Sequence, residues 1–237
     1  MRPSALVIEL SPLIRSHSFK VGMTFEQFAL SIFQKIMDLA KGYFRCDVVI
    51  AVNDYFEHSL KESLRSKRGI GSRFVFEDDT ELPSDFKDNF LVNSTNNHDL
   101  GPYIAEKITD YHISNSNIPI FVCTYENSVL TNNVALRTQS DISNCISEEA
   151  DQRIVRHAIN CAKNGFERVD VLTVDDDVLI LVIAYFPYLK SKYLSISVFC
   201  GTGLGTSKIK YYNVAKIAKD LSIFVCKALP FLCIHRM

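Results

Sequence analysis

The chain has 237 residues, 47% of them apolar and 22% charged, with a formal net charge of −1. That length can bury a full core as one large domain. The near-neutral charge excludes a globally basic nucleic-acid binder, so any such contact must come from a local patch. Seven cysteines (Cys46, Cys123, Cys145, Cys161, Cys200, Cys226 and Cys233) are scattered without a Cys-x-x-Cys pair, which removes zinc-finger spacing. The odd count, with no signal-peptide pattern, points to a reducing intracellular compartment, nuclear or cytoplasmic. No window reaches the roughly 18 continuous apolar residues of a membrane span. The longest, at 178–186 and 221–234, are too short or carry a Lys and a Pro.

In chain order, residues 5–10 form a short apolar run that reads as a buried strand. Residues 23–39 place Phe25, Phe28, Ala29, Ile32, Phe33, Ile36 and Met37 at helical spacing, with Thr24 and Gln27 as a capping box and Gly42 as a stop. Residues 46–52 are a second apolar strand. Strand, helix, strand with continuous apolar strands predicts a parallel sheet buried on both faces. Residues 56–73 are strongly basic. Lys61, Arg65 and Arg68 share one helical face at i, i+4 and i+7, and can contact phosphates without reading bases. The same pattern fits a solvated basic helix.

Residues 90–100 read as a loop, 102–111 as a helix, 118–125 as a third strand and 131–143 as a polar loop. Ser147 is placed to cap a helix, with Glu148 and Glu149 in its first turn. Ala150, Ile154, Ala158 and Ala162 supply its buried stripe and Gly165 its end. A fourth strand at 169–174 delivers Asp175, Asp176 and Asp177. A fifth strand is expected at 195–200 and a helix at 211–221. Residues 201–206 (Gly-Thr-Gly-Leu-Gly-Thr) lack the spacing of a dinucleotide loop, and a hairpin turn fits better. His157 faces solvent or packs beside its helix.

The strongest functional signal is the pair of acidic clusters, Glu148-Glu149-Ala150-Asp151 and Asp175-Asp176-Asp177, separated by one helix and one strand. In open parallel sheets, functional side chains gather past the carboxyl ends of strands. Asp175 and Asp177, two apart, point the same way if the backbone there is extended. Clustered carboxylates repel one another, and a divalent cation, Mg2+ or Mn2+, is the usual way to hold them together. The ordinary alternative is that the glutamates cap a helix and the aspartates form a solvated turn.

These motifs resemble the paired acidic motifs of the PIN-like nucleases in their flap-endonuclease branch. More closely, the chain is similar to an animal family often met near mobile elements, with an "EEAD-x-R-I-V-x-H" helix and a "D-T-D-V-L" loop. Here the helix reads Glu148-Glu149-Ala150-Asp151-Gln152-Arg153-Ile154-Val155-Arg156-His157, and the loop Thr173-Val174-Asp175-Asp176-Asp177-Val178-Leu179. Residues 7–13, 55–61, 65–69, 90–93 and 203–208 also match, so the resemblance covers most of the chain. It implies that Asp175 and Asp177 are metal ligands, that Glu149 and Asp151 supply facing carboxylates, and that Glu9 stands where such enzymes carry an Asp. A two-metal site of that kind would activate water for phosphodiester cleavage. It also implies that the basic insertion arches over a nucleic-acid strand.

Two departures count against activity. Asn53 occupies a position that carries an Asp in the family, and Asp54 comes one residue later, where a slip turns the side chain to the other face. The family continues into "H-A-F-T-G-C-D", whose Asp belongs to the acidic site, whereas this chain closes on Cys233-Ile234-His235-Arg236-Met237. The resemblance therefore implies an incomplete or decayed reading frame. The expected fold is α/β, a central mainly parallel sheet flanked by helices, in one PIN-like (Rossmann-like) domain over residues 1–237 with a basic and polar insertion at about 56–115. Two functions follow: a Mg2+- or Mn2+-dependent nuclease on structured or single-stranded DNA or RNA, or an inactive nucleic-acid- or protein-binding module that keeps the fold.

Overall fold

The computed structural model describes residues 4–41, 46–52, 71–115, 120–123, 129–131, 150–188, 195–200 and 210–234. All six residues of β1 (Ser4–Glu9) are buried, as a strand in the middle of a two-sided sheet requires. β2 (Cys46–Ala51) and β3 (Ile120–Cys123) lie to one side of it, and β5 (Arg168–Thr173) and β6 (Ser195–Cys200) to the other. These five strands run parallel. β4 (Val129–Thr131) and β7 (Lys210–Asn213) close the edges antiparallel, giving the order β4-β3-β2-β1-β5-β6-β7. The fold is thus α/β and Rossmann-like, with a mainly parallel sheet between two helical layers.

Strand alternation sends the side chains to two separate cores. Leu6, Ile8, Val48, Ile50 and Leu172 face α1 (Leu10–Ser16), α2 (Phe25–Lys41) and α3 (Ser94–Asn115). Ala5, Val7, Val49, Val169, Val171, Ile196 and Val198 face α4 (Ala150–Lys163), α5 (Asp176–Tyr185), α6 (Val214–Asp220) and α7 (Ile223–Ile234). α2 begins on the expected reciprocal cap: the Gln27 N–H donates to Thr24 Oγ1 at 3.3 Å and the Thr24 N–H to Gln27 Oε1 at 3.1 Å. Residues 71–115, within the stretch read as a basic and polar insertion, supply Phe74, Phe76, Phe86, Phe90, Leu100 and Ile104 to the first core. Phe25 stacks on Phe76 with ring centroids 4.1 Å apart. A fully buried Phe contributes about 1.5–3 kcal/mol, so this aromatic group carries much of that layer.

Several boundaries differ from the sequence reading. β1 stops at Glu9, and Leu10 opens α1. α3 starts at Ser94, not 102, and runs through Pro102, because Asn93 caps it by accepting the Asn96 N–H at 3.0 Å. The helix expected at 211–221 is strand β7 followed by α6, where Asn213 Oδ1 accepts the Lys216 N–H at 2.9 Å. Thr131, read as the start of a loop, lies in edge strand β4. The apolar run at 178–186 lies in α5 up to Tyr185, and the run at 221–234 lies in α7 from Ile223. Among the described residues no helix is long and apolar enough to cross a membrane.

Candidate functional site

The helices divide between the two faces at β1. The connections to β2 and β3 run over one face, and those to β5 and β6 over the other. The boundary between β1 and β5 is therefore the topological switch point, and open α/β sheets hold ligands outside the carboxyl ends of strands at such a point. Here those ends are Glu9 and Thr173. The Thr173 hydroxyl donates to Glu9 Oε2 at 2.7 Å, in a buried contact, and Glu9 is 7% exposed. Thr173 Oγ1 in turn accepts the Asp175 N–H at 3.0 Å. One hydroxyl thus joins the buried carboxylate that ends β1 to the backbone that leaves β5.

The three aspartates do not continue the strand. Asp175 is extended (φ −97°, ψ 123°), and its Oδ1 accepts the Asp177 N–H at 2.8 Å, so it is the N-cap of α5. Asp176 and Asp177 occupy the first helical turn, where the dipole favours negative charge. The expectation that Asp175 and Asp177 project together from extended backbone is corrected: the chain turns into a helix between them. Asp175→Ala should cost about 1 kcal/mol through loss of the cap, and Asp175→Asn should recover most of it. Urea denaturation of both variants reads this, and equal losses would contradict the capping role.

Asp151 sits half-buried in the first turn of α4. α4 hands directly to the start of β5 through the turn at Gly165 (φ 86°). It therefore runs back along the sheet for about 20 Å, nearly the length of the strand. This puts its N-terminus, with Asp151, toward the same carboxyl edge. Glu149, Asn53, Asp54, Lys61, Arg65 and Arg68 lie outside the described residues. Among the described residues no three His, Cys, Asp or Glu side chains gather closely enough to hold a metal ion. No chemical step is assigned to a divalent cation.

His157 packs rather than facing solvent. It is 3% exposed and Arg153, one turn earlier, is 1% exposed. Burial, then the charges of Arg153 and Arg156, pushes the His157 pKa down to about 3. It is a neutral core imidazole, unsuited to proton transfer near neutrality. Sequence reasoning missed two features of the edge. The role of Thr173 was invisible because a threonine at a strand end carries no motif of its own. Asn93, Asn96 and Asn97 carry loop propensity, so residues 90–100 read as a loop from sequence although α3 starts at Ser94.

Comparison with protein-family models, with curated proteins and with solved structures returned no match for this chain.

Proposed function

We propose that this chain is a nuclease-like protein of the PIN-like kind, directed at structured or single-stranded DNA or RNA, which uses the carboxyl edge of its sheet with Mg2+ or Mn2+ as cofactor. The observation that carries this reading is the Glu9–Thr173–Asp175 linkage at the switch point. It fixes one buried carboxylate and one helix-capping carboxylate where such sheets take their ligands. Asp175 Oδ2 and the Asp177 carboxylate engage no other protein group among the described residues, so they are the oxygens left to meet a cation. Asp151 and Glu149 are the partners assigned to them. Lys61, Arg65 and Arg68 are assigned to phosphate contact.

The second reading is a binding module without hydrolysis. The neutral Asn53 favours it.

Manganese titration followed by thermal denaturation separates the two. A ligand that binds only the folded state at 100 times its Kd adds about 2.7 kcal/mol, or roughly 5–10 °C for a chain of this size. The nuclease reading predicts that shift for the parent and none for Asp175→Ala/Asp177→Ala, each compared with its own metal-free melt. Equal shifts in both would remove these aspartates from the site. No shift in either folded protein would put the binding module first.

A further inference from the structure

On the other side of β1 from the Glu9 carboxylate, a shallow cleft opens between α1 and α3 over the end of β2. Its floor is apolar, formed by Ile14, Val52 and Leu100, and its rim is polar, formed by Ser11, Arg15 and Asn97. α3 crosses β2 closely here, since a Cβ on Gly101 would lie 2.9 Å from Val52 Cγ1. Val52 and Leu10 end or follow adjacent strands, so the cleft sits on the same carboxyl edge as Glu9 and Asp175.

Among the described residues Arg15 is the only cation lining the cleft, and it is exposed. Its protein contact among the described residues is one hydrogen bond from Nη2 to the Leu91 carbonyl at 3.4 Å, the long limit for such a bond. No carboxylate pairs with it there. The Asn97 amide is already held, donating to the carbonyls of Leu91 and Asn93 at 2.8 Å each. Its position is therefore fixed, and its Oδ1 is left to accept. A guanidinium with most of its donors unspent, beside a hydroxyl and a fixed amide, suits a planar bidentate grip on phosphate oxygens. A position in the last turn of α1 complements the helix dipole, but that alone accounts for neither the cleft nor the free donors.

We infer that a phosphodiester of the nucleic-acid strand rests on the polar rim of this cleft, with Arg15 as the phosphate-binding group. The inference rests on the nucleic-acid reading above and adds the strand's path. Arg15 lies six residues beyond Glu9, about 9 Å along the axis of α1, so a strand lying on the carboxyl edge meets the carboxylates on one side of β1 and the guanidinium on the other.

The test is binding of a fluorescein-labelled single-stranded oligonucleotide to the full chain, with EDTA present, across a salt series. Arg15→Gln should weaken binding about 5–10-fold at low salt and reduce the slope of log affinity against log salt by about 0.7, one phosphate's share on a single strand. Arg15→Lys should restore the slope but not the full affinity, because the bidentate geometry is lost. Unchanged far-ultraviolet circular dichroism and melting temperature would show that these exposed substitutions leave the fold intact. If the parent binds and Arg15→Gln changes neither affinity nor slope, the seat is wrong and the nucleic-acid reading stands. If the parent binds no oligonucleotide even at low salt, both fall.

Discussion

Asn96→Ala should lower the melting temperature by about 8–12 °C. Asn96 is completely buried, and its amide is fully used. Nδ2 donates to the carbonyls of Ser72 at 2.8 Å and Phe90 at 3.0 Å. Oδ1 accepts the Phe74 N–H at 2.9 Å and Arg73 Nη1 at 3.1 Å. Removing it deletes four bonds worth about 1 kcal/mol each and takes a donor from the buried Phe90 carbonyl. A total near 3–4 kcal/mol, at about 3 °C per kcal/mol, gives the stated drop. Asn96→Asp is the sharper variant. It keeps the acceptor for Phe74 but aims a second oxygen at two carbonyls, so it should be at least as damaging at pH 7 and partly relieved in acid. Gly71 is part of the same fastening: Asn93 Nδ2 donates to its carbonyl at 3.2 Å, its φ is +55°, and a Cβ would sit 2.6 Å from the Asn89 oxygen. This clamp fastens the start of the described segment 71–115 against the first core. A fall under about 3 °C for Asn96→Ala would mean that water replaces the amide.

The same clamp explains why part of the fold was legible in the sequence and part was not. Residues whose burial follows a simple period announced themselves. These were the apolar runs of β1, β2 and β5, the Phe25-to-Ile36 stripe of α2, and the four-residue repeat of alanines and Ile154 in α4. The start of α3 did not, because Asn93, Asn96 and Asn97 carry loop propensity, and Asn93 and Asn96 bond through their amides to a segment some twenty residues earlier. Long-range partners of that kind leave no local signal. The three aspartates failed for the opposite reason. Their local signal is strong but serves equally for a strand end, a turn or a helix start, and the cap from Asp175 to the Asp177 N–H decides for the helix. At the candidate site, Asp175 and Glu9 stand at the carboxyl edge as a parallel sheet requires. The hydroxyl of Thr173 that ties them together depends on β1 and β5 being neighbours, and that follows from the order of the strands rather than from either strand's sequence.

Between pH 6 and 4 the parent chain should lose little stability, and two single substitutions should tilt that flat response in opposite directions. The folded pKa of His157, about 3, lies below its ordinary 6.5. The unfolded chain therefore binds the proton first, and folding loses about 1.4 kcal/mol per pH unit as pH falls from 6.5 toward 3. By pH 3.5 the loss is on the order of 3–4 kcal/mol. Asp47, on β2, goes the other way. Burial raises its pKa from 3.8 to about 6, so the folded chain binds the proton first, and folding gains stability as pH falls from 6 to 3.8. This carboxylate is only half-buried, and screening by water limits its share to about 1–2 kcal/mol. The two effects oppose each other over the same window, which is why the parent response is shallow there. His157→Gln removes the loss, leaving a chain that becomes more stable on acidification from pH 6 to 4. Asp47→Asn removes the gain: it should be more stable than the parent at pH 7 and should decline steeply below pH 6. Urea midpoints at half-unit pH steps measure all three proteins. Parallel curves for parent and His157→Gln would show that the imidazole is not held neutral in the folded chain, and so is not the core residue that its burial against Arg153 requires.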